Sequence, residues 1–143
     1  MKRTTLVLGL ALLAAAACGR KPAEKPVMDN PFFSEFATPF GVPPFDAILP
    51  EHYVPAFERG MAEQKKEIAA ITAGAEAPTF ANTVEALERS GTLLARVAGV
   101  FSNMTSSHTN EALQKIDKDM APRLAQHGDD IALDAALFAR VKA

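Results

Sequence analysis

A regular spacing of apolar residues from Pro78 to Met104 constrains the fold of this chain more than any other feature. Apolar or small residues recur at the intervals that keep one face of an α-helix continuous: Phe80, Val84, Leu87, Gly91, Leu94, Ala98 and Phe101. A second row widens this face: Leu93, Val97, Val100 and Met104. Thr79 or Asn82 can cap the start of the predicted helix. A helix that is apolar on so much of its surface requires other elements packed against it.

The chain offers such an element on the N-terminal side. A second helix is predicted from about Pro50 to Ala73, with apolar residues along one stripe: Val54, Phe57, Met61, Ile68 and Ile71. Gln64 and Lys65 interrupt the stripe. Pro55 lies one turn into this helix and is expected to kink it or to restart it there.

Two more helices are predicted after Met104. Thr109 or Asn110 begins the third, which carries Leu113, Ile116, Met120, Leu124 and Ile131 on one side. Pro122 is expected to bend it near Asp119. Asp134 is the predicted N-cap of a fourth, short helix that ends at Ala143. The predicted fold class is therefore all-α, with about four helices.

Residues 30–50 contain a dense mixture of aromatic rings and prolines. Five of the nine phenylalanines lie here, together with five of the ten prolines. Prolines at this density prevent a regular helix or a central strand. Burial of each ring stabilises the fold by about 1.5–3 kcal/mol, which disfavours leaving the rings in water. The segment is predicted to be an irregular strap laid across the helices and held by Phe32, Phe33, Phe36, Phe40 and Phe45. A peptide-docking groove is the alternative.

The N-terminus resembles an export signal. Lys2 and Arg3 precede an apolar run that is short for a membrane span, and the run ends in small residues before Cys18, the only cysteine. This arrangement is similar to a bacterial lipobox, with Ala15 where leucine is usual, and it predicts lipidation of Cys18. An ordinary secretory signal is the alternative. The expected organisation is a signal peptide at 1–17, a lipidated tether at 18–29 and an incomplete N-terminal helical domain at 30–143, exported to the periplasmic side and anchored to the membrane.

Composition and motifs exclude several kinds of chemistry. The net charge is −2 and no basic run exists, so nucleic acid is not an expected partner. The three histidines are not spaced as a zinc motif. His108 begins an inverted zinc pattern but Ala112 replaces its second ligand, so we interpret His108 as a turn residue. His52 and His127 are interpreted as surface or capping groups. No catalytic, cofactor-binding or metal-binding residue is predicted.

Two other candidate motifs each lack one residue that their chemistry requires. Asp117 and Asp119 could begin a calcium loop, but Pro122 occupies the position that requires glycine. Ser90 lacks the glycine that precedes a nucleophile elbow. Glu85, Glu88, Arg89 and Arg96 are interpreted as ordinary exposed helix charges.

Three strings resemble the N-terminal helical region of bacterial peptidyl-dipeptidases of the thimet-oligopeptidase family. The most specific are PPFDAILPEHYVPAFE, from Pro43 to Glu58, and PTFANTVEALERSG, from Pro78 to Gly91; the third is DDIALDAALFARVKA. Many members carry Glu where this chain has Ala81. The resemblance implies part of a large, mostly helical, zincin-type metallopeptidase that takes peptide substrates and releases dipeptides from their C-termini. It also implies zinc ligands, H-E-x-x-H and a further Glu, that are not among these residues.

Three functional hypotheses follow. The first is that the chain is the scaffold or channel-wall part of an exported zinc metallopeptidase, in which case these 143 residues should bind no zinc and be inactive alone. The second is a small helical lipoprotein that acts as a binding or structural module without catalysis. The third is a fragment that has lost every function beyond anchoring.

Overall fold

The computed structural model describes residues 30–143, which form helices joined by short turns. The α-helices are α1 (Pro50–Thr72), α2 (Ala86–Arg89), α3 (Thr92–Ser107), α4 (Glu111–Ala132) and α5 (Ala135–Lys142). Short 3₁₀ turns lie at Pro31–Phe33 and Pro39–Gly41, and a π-helical turn at Phe80–Glu85 leads directly into α2. No strand occurs between residues 30 and 143, which confirms the all-α prediction. The predicted signal peptide, Cys18 and the tether lie outside the described residues.

Helix α1 is the centre of the fold, since it packs against the strap and against α2, α3, α4 and α5. The main core combines buried residues of the strap, α1, α3 and α4: Phe32, Tyr53, Ala56, Phe57, Val97, Val100, Phe101, Leu113 and Met120. A smaller cluster joins the C-terminal end of α1 to α5 through Ile68, Ile71 and Leu137. Burial raises the pKa of Tyr53, so its hydroxyl stays protonated within the core.

Gly60 sets the separation between α1 and α3. A Cβ atom added to Gly60 would lie 2.9 Å from the Cα atom of Leu94 and 3.0 Å from its backbone nitrogen. Because these are backbone atoms, no rotamer change could relieve the overlap. The two helices therefore approach closely only because residue 60 has no side chain.

Side-chain caps begin the π-helical turn, α4 and α5, as predicted. The Thr79 hydroxyl accepts the Asn82 N–H at 3.1 Å, and the Asn82 side chain accepts the Thr79 N–H at 2.8 Å. Asn110 caps α4 by accepting the Leu113 N–H at 3.0 Å, and Asp134 caps α5 by accepting the Ala136 N–H at 2.8 Å. These contacts satisfy backbone donors that otherwise lack a partner.

The prediction of one helix from Pro78 to Met104 is wrong. Ser90 is extended (φ −70°, ψ 153°) and Gly91 is left-handed (φ 72°), so the helix ends at Arg89 and a new one starts at Thr92. The two pieces differ in burial: Phe80 is 74% exposed, whereas Val97 is fully buried. Side-chain periodicity continues across the break, which explains why the apolar pattern alone did not reveal it.

Proline did not break α1 or α4. Helix α1 runs through Pro55 and α4 through Pro122 as single elements, so the predicted restart at Pro55 is wrong. Buried Tyr53, Ala56 and Phe57 surround Pro55 on α1. We attribute the continuity of α1 to this core packing, which outweighs the loss of one backbone hydrogen bond.

The strap prediction is right for its first half. Phe32 is fully buried, and its ring centroid lies 5.4 Å from that of Tyr53. The guanidinium group of Arg59 lies 4.4 Å from the centroid of the Phe33 ring, and Arg96 donates to the Ser34 carbonyl at 2.9 Å. Arg96 is thus an anchor of the strap and not the ordinary exposed charge that was predicted.

The second half of the strap differs from the prediction. Phe40 is completely exposed and has a left-handed backbone (φ 60°), and Phe45 is also exposed. The turn around Phe40 closes through the Gly41 N–H, which donates to the Thr38 carbonyl at 3.0 Å. Phe40 and Phe45 therefore do not hold the strap to the helices.

Candidate functional site

A polar network connects α4 to the break between α2 and α3 through the middle of α1. The His127 Nε2 atom lies 2.8 Å from Gln64 Oε1, and Gln64 Nε2 donates to the Ser90 hydroxyl at 3.4 Å. The Ser90 hydroxyl in turn donates to the Leu87 carbonyl at 2.7 Å. Because Gln64 Oε1 can only accept, His127 carries its proton on Nε2.

Glu67 completes the contacts at the break. Its carboxylate accepts the Gly91 N–H at 2.7 Å, at the first turn of α3. A negative charge is favourable at a helix N-terminus, and a hydrogen bond to a charged acceptor is stronger than a neutral one. An added Cβ at residue 91 would lie 2.4 Å from Gln64 Nε2, so the Gln64 side chain would have to leave its present position. Left-handed geometry and this overlap together favour glycine here.

His127 is held in its neutral form. Burial is the main cause that lowers its pKa from the usual 6.5; the positive charge of Lys65 lowers it further, and Asp130 opposes this in part. The imidazole is 5% exposed, and its Nδ1 atom is buried without a hydrogen-bond partner. Protonation would place a second donor at Nδ1 with no acceptor, which carries the cost of an unsatisfied buried group.

Surface ion pairs join α1 and α4 on either side of the network. Lys65 pairs with Asp130 at 2.9 Å and Arg123 pairs with Glu58 at 2.8 Å. Hydrogen bonds from Lys65 and from Gln126 lower the pKa of Asp130. Water and salt screen exposed pairs of this kind, so they align the two helices more than they stabilise them.

An open groove of about 460 Å³ lies beside His127 between α1 and α4, and it is lined by Met61, Ala62, Lys65, Pro122, Arg123, Gln126, His127 and Asp130. Its basic groups are already engaged in ion pairs. His127 Nδ1 has no accessible surface, so a molecule in the groove cannot reach it. The Ser90 hydroxyl is committed to the Leu87 carbonyl. The groove and the network therefore offer no available nucleophile and base, and their contacts hold helices in place.

The histidines do not form a metal site. His52 accepts the Leu49 N–H on Nδ1 at 3.0 Å and caps α1, His108 is exposed at the end of α3, and His127 belongs to the network. Within residues 30–143 no group of three or more His, Cys, Asp or Glu side chains is placed to hold a metal ion. A catalytic zinc site requires about three protein ligands, and the described residues do not fit one. His52 is a capping group as predicted, but both His52 and His127 are buried, so a surface location is wrong for them.

Sequence reasoning missed the residues that hold the break. In the sequence, Gln64 only interrupts the α1 stripe, and Ser90 lacks the glycine that a nucleophile elbow requires. The Ser-Gly dipeptide at Ser90 and Gly91 is a typical turn signal and could have located the break. No comparable signal exists for Glu67, since its partner is a backbone N–H on another helix.

These observations define an all-α scaffold, and comparison with known proteins indicates which proteins share it. The chain is 47% identical to the dipeptidyl carboxypeptidase of Escherichia coli over 114 residues, which is 80% of this chain and 17% of that protein. It is 46% identical to the dipeptidyl carboxypeptidase of Salmonella typhimurium over the same length. Oligopeptidase A of Escherichia coli is 26% identical over 111 residues, 78% of this chain and 16% of that protein. No family model matches the sequence.

The chain is therefore homologous to these peptidases over about four fifths of its length and spans about a sixth of theirs. This homology agrees with the resemblance carried by the PPFD and EALERSG strings. In the described part of the chain, no helix is long and apolar enough to cross a membrane.

Proposed function

We propose that this chain is the helical scaffold of one channel wall in an exported zinc metallopeptidase that releases dipeptides from the C-termini of peptides. The observation that carries the proposal is the 47% identity to a dipeptidyl carboxypeptidase over 114 residues, a stretch that makes up 17% of that protein. Identity at this level over so many residues supports a shared fold for the matching part. The chemistry then belongs to residues outside the described ones.

The way the side chains are used supports a scaffolding role. Polar groups on α1, α3 and α4 bond one another: His127 bonds Gln64, and Glu67 bonds the Gly91 backbone. Hydrogen bonds of this kind between helices favour one arrangement of those helices. A rigid wall lets a peptidase place substrate contacts precisely, since positioning accounts for much of an enzyme's rate.

An exchange experiment tests the proposal. The matching 114 residues of the Escherichia coli dipeptidyl carboxypeptidase would be replaced by the homologous residues of this chain, and dipeptide release from a model peptide measured. We expect a folded, active chimera, while a variant of the enzyme that lacks this segment should be inactive. A chimera that folds but releases no dipeptide would contradict the proposal.

The isolated chain provides a second test. We expect the purified protein to bind no stoichiometric zinc and to release no dipeptides, because His52 and His127 are engaged elsewhere and residues 30–143 hold no group of three metal ligands. Metal analysis after dialysis and the same peptide assay would measure both properties. Bound zinc or turnover would show that this chain has a catalytic site of its own.

We also propose that Cys18 is lipidated and anchors the exported chain to the membrane. Support comes from the sequence alone, in the charged start, the apolar run and the single cysteine that follows small residues. Cys18→Ala should prevent the incorporation of labelled fatty acid into the protein, and inhibition of lipoprotein processing should leave a longer precursor that keeps its signal peptide. A parent protein that incorporates no labelled fatty acid would exclude the anchor.

A further inference from the structure

An apolar groove is exposed where α2, the end of α4 and α5 meet. It encloses about 210 Å³ and is lined mainly by Leu87, Ile131, Leu137, Phe138 and Val141. Phe138 is 65% exposed and Val141 is 49% exposed, and Leu133 beside them is 82% exposed. A cavity of about 150 Å³ lined by apolar side chains can hold a benzene ring, so this groove has room for an aromatic or a large aliphatic side chain.

The helix that carries the groove is held in a fixed position. An eight-residue helix is marginal in water by itself. Here Asp134 caps its start, Leu137 is buried against Ile68 and Ile71, and Arg140 donates to the Gly74 carbonyl at 2.8 Å. Phe138 and Val141 are therefore presented on a rigid support, and a contact with them would lose little conformational entropy.

From this arrangement we infer that the groove is the surface on which the remainder of a longer peptidase packs. The inference rests on the proposed function. The occupant is an apolar segment of the same polypeptide, from the larger part of a protein that is about six times as long as the matched region. An exposed cluster of large apolar side chains on a fixed helix is typical of a contact surface.

The size of the groove favours a segment of the same polypeptide over a second copy of the chain. A stable interface between separate proteins buries about 800 Å² on each partner, and three exposed side chains fall well short of that. Packing between parts of one polypeptide does not lose the translational and rotational freedom that separate partners lose. A small apolar groove is therefore sufficient for an intramolecular contact.

The chimera with the Escherichia coli dipeptidyl carboxypeptidase tests this inference. Phe138→Asp should lower its melting temperature by several degrees and reduce its dipeptide release, because a carboxylate would be buried against the occupant. In the isolated chain the same change should leave the melting temperature nearly unchanged, since Phe138 faces water there. Ala139→Asp is the matched control, because Ala139 is exposed on the same helix and does not line the groove.

The outcomes separate the two proposals. The docking surface would be overturned by an active chimera in which Phe138→Asp lowers the melting temperature and dipeptide release no more than Ala139→Asp does. The proposed function would be unaffected by that result. A chimera without either substitution that releases no dipeptide would overturn both. A second-copy occupant would instead make the isolated chain dimeric, with the dimer lost in Phe138→Asp; sedimentation of the isolated chain would detect it, and a dimer of this kind would also overturn the inference.

Discussion

Replacing Gly60 by alanine should destabilise this protein, although the same change normally stabilises a helix. Alanine in a helix interior is favoured over glycine by about 1 kcal/mol. At Gly60 the new methyl group would lie 2.9 Å from Leu94 Cα, whereas carbon atoms prefer about 3.5–4.0 Å. Because the neighbour is backbone, α1 and α3 must move apart by roughly the difference, which weakens the contacts along their whole interface.

The net effect can be estimated from these two terms. Overpacking of a close contact costs about 1–3 kcal/mol, and the gain in helix propensity offsets about 1 kcal/mol of it. We therefore expect Gly60→Ala to lower the free energy of unfolding by up to about 2 kcal/mol. Gly128→Ala and Gly99→Ala are the controls, because an added Cβ meets nothing within 4 Å at either position. Both should stabilise by about 0.5–1 kcal/mol.

Urea denaturation followed by circular dichroism would measure all three variants at one protein concentration. The decisive quantity is the sign of the change at Gly60 relative to Gly128. If Gly60→Ala stabilised the protein as much as Gly128→Ala does, the close approach of α1 and α3 would be wrong. If the slope of the free energy of unfolding against urea concentration is the same in all variants, the substitutions have changed stability and not the compactness of the folded or unfolded state.

Three further predictions concern the break, the network and the strap. Gly91→Ala should destabilise by about 1–2 kcal/mol from left-handed strain alone, with more from the overlap with Gln64. The stability contributed by His127 should fall as pH drops below 6.5, because His127 takes up a proton more readily in the unfolded chain than in the folded chain. His127→Asn should weaken the dependence of the free energy of unfolding on pH in this range. Phe32→Ala should cost about 3–5 kcal/mol, whereas Phe40→Ala should change stability by less than about 0.5 kcal/mol.

Each of these predictions has a contrary result. A Gly91→Ala variant as stable as the parent would mean that residue 91 is not left-handed. A pH profile that is the same with and without His127 would contradict its lowered pKa. Equal effects at Phe32 and Phe40 would mean that the whole strap is packed, or that none of it is.

The helical fold was predictable from the sequence because its signals are local. The caps at Asn110 and Asp134 follow from one side chain and the backbone two or three residues on. The buried positions of α3 and α4 follow from a spacing that any amphipathic helix obeys. Such features depend on few neighbours, and for that reason the periodic pattern located them.

The break at Ser90 and Gly91 was not predicted because it depends on another helix. Apart from the Ser90-Gly91 dipeptide, the apolar spacing from Pro78 to Met104 is that of one continuous helix. The Gly91 N–H finds a carboxylate twenty-four positions earlier in the chain, at 2.7 Å. Sequence spacing cannot show a contact of this kind. The same holds for Arg96, whose partners are carbonyl groups of the strap.

The break also explains why α1, and not the predicted helix at 78–104, is the centre of the fold. A straight helix would carry Phe80 and Phe101 on one continuous face, yet the structure exposes the first and buries the second. The turn at Gly91 lets α2 and α3 leave α1 in different directions, so α3 joins the main core while α2 joins the α5 cluster. Glu67 and Gln64 on α1 hold that turn, and α5 in turn presents Phe138. The contact surface that we propose therefore depends on Gln64, which interrupts the apolar stripe of α1, and on Glu67, which is not part of that stripe.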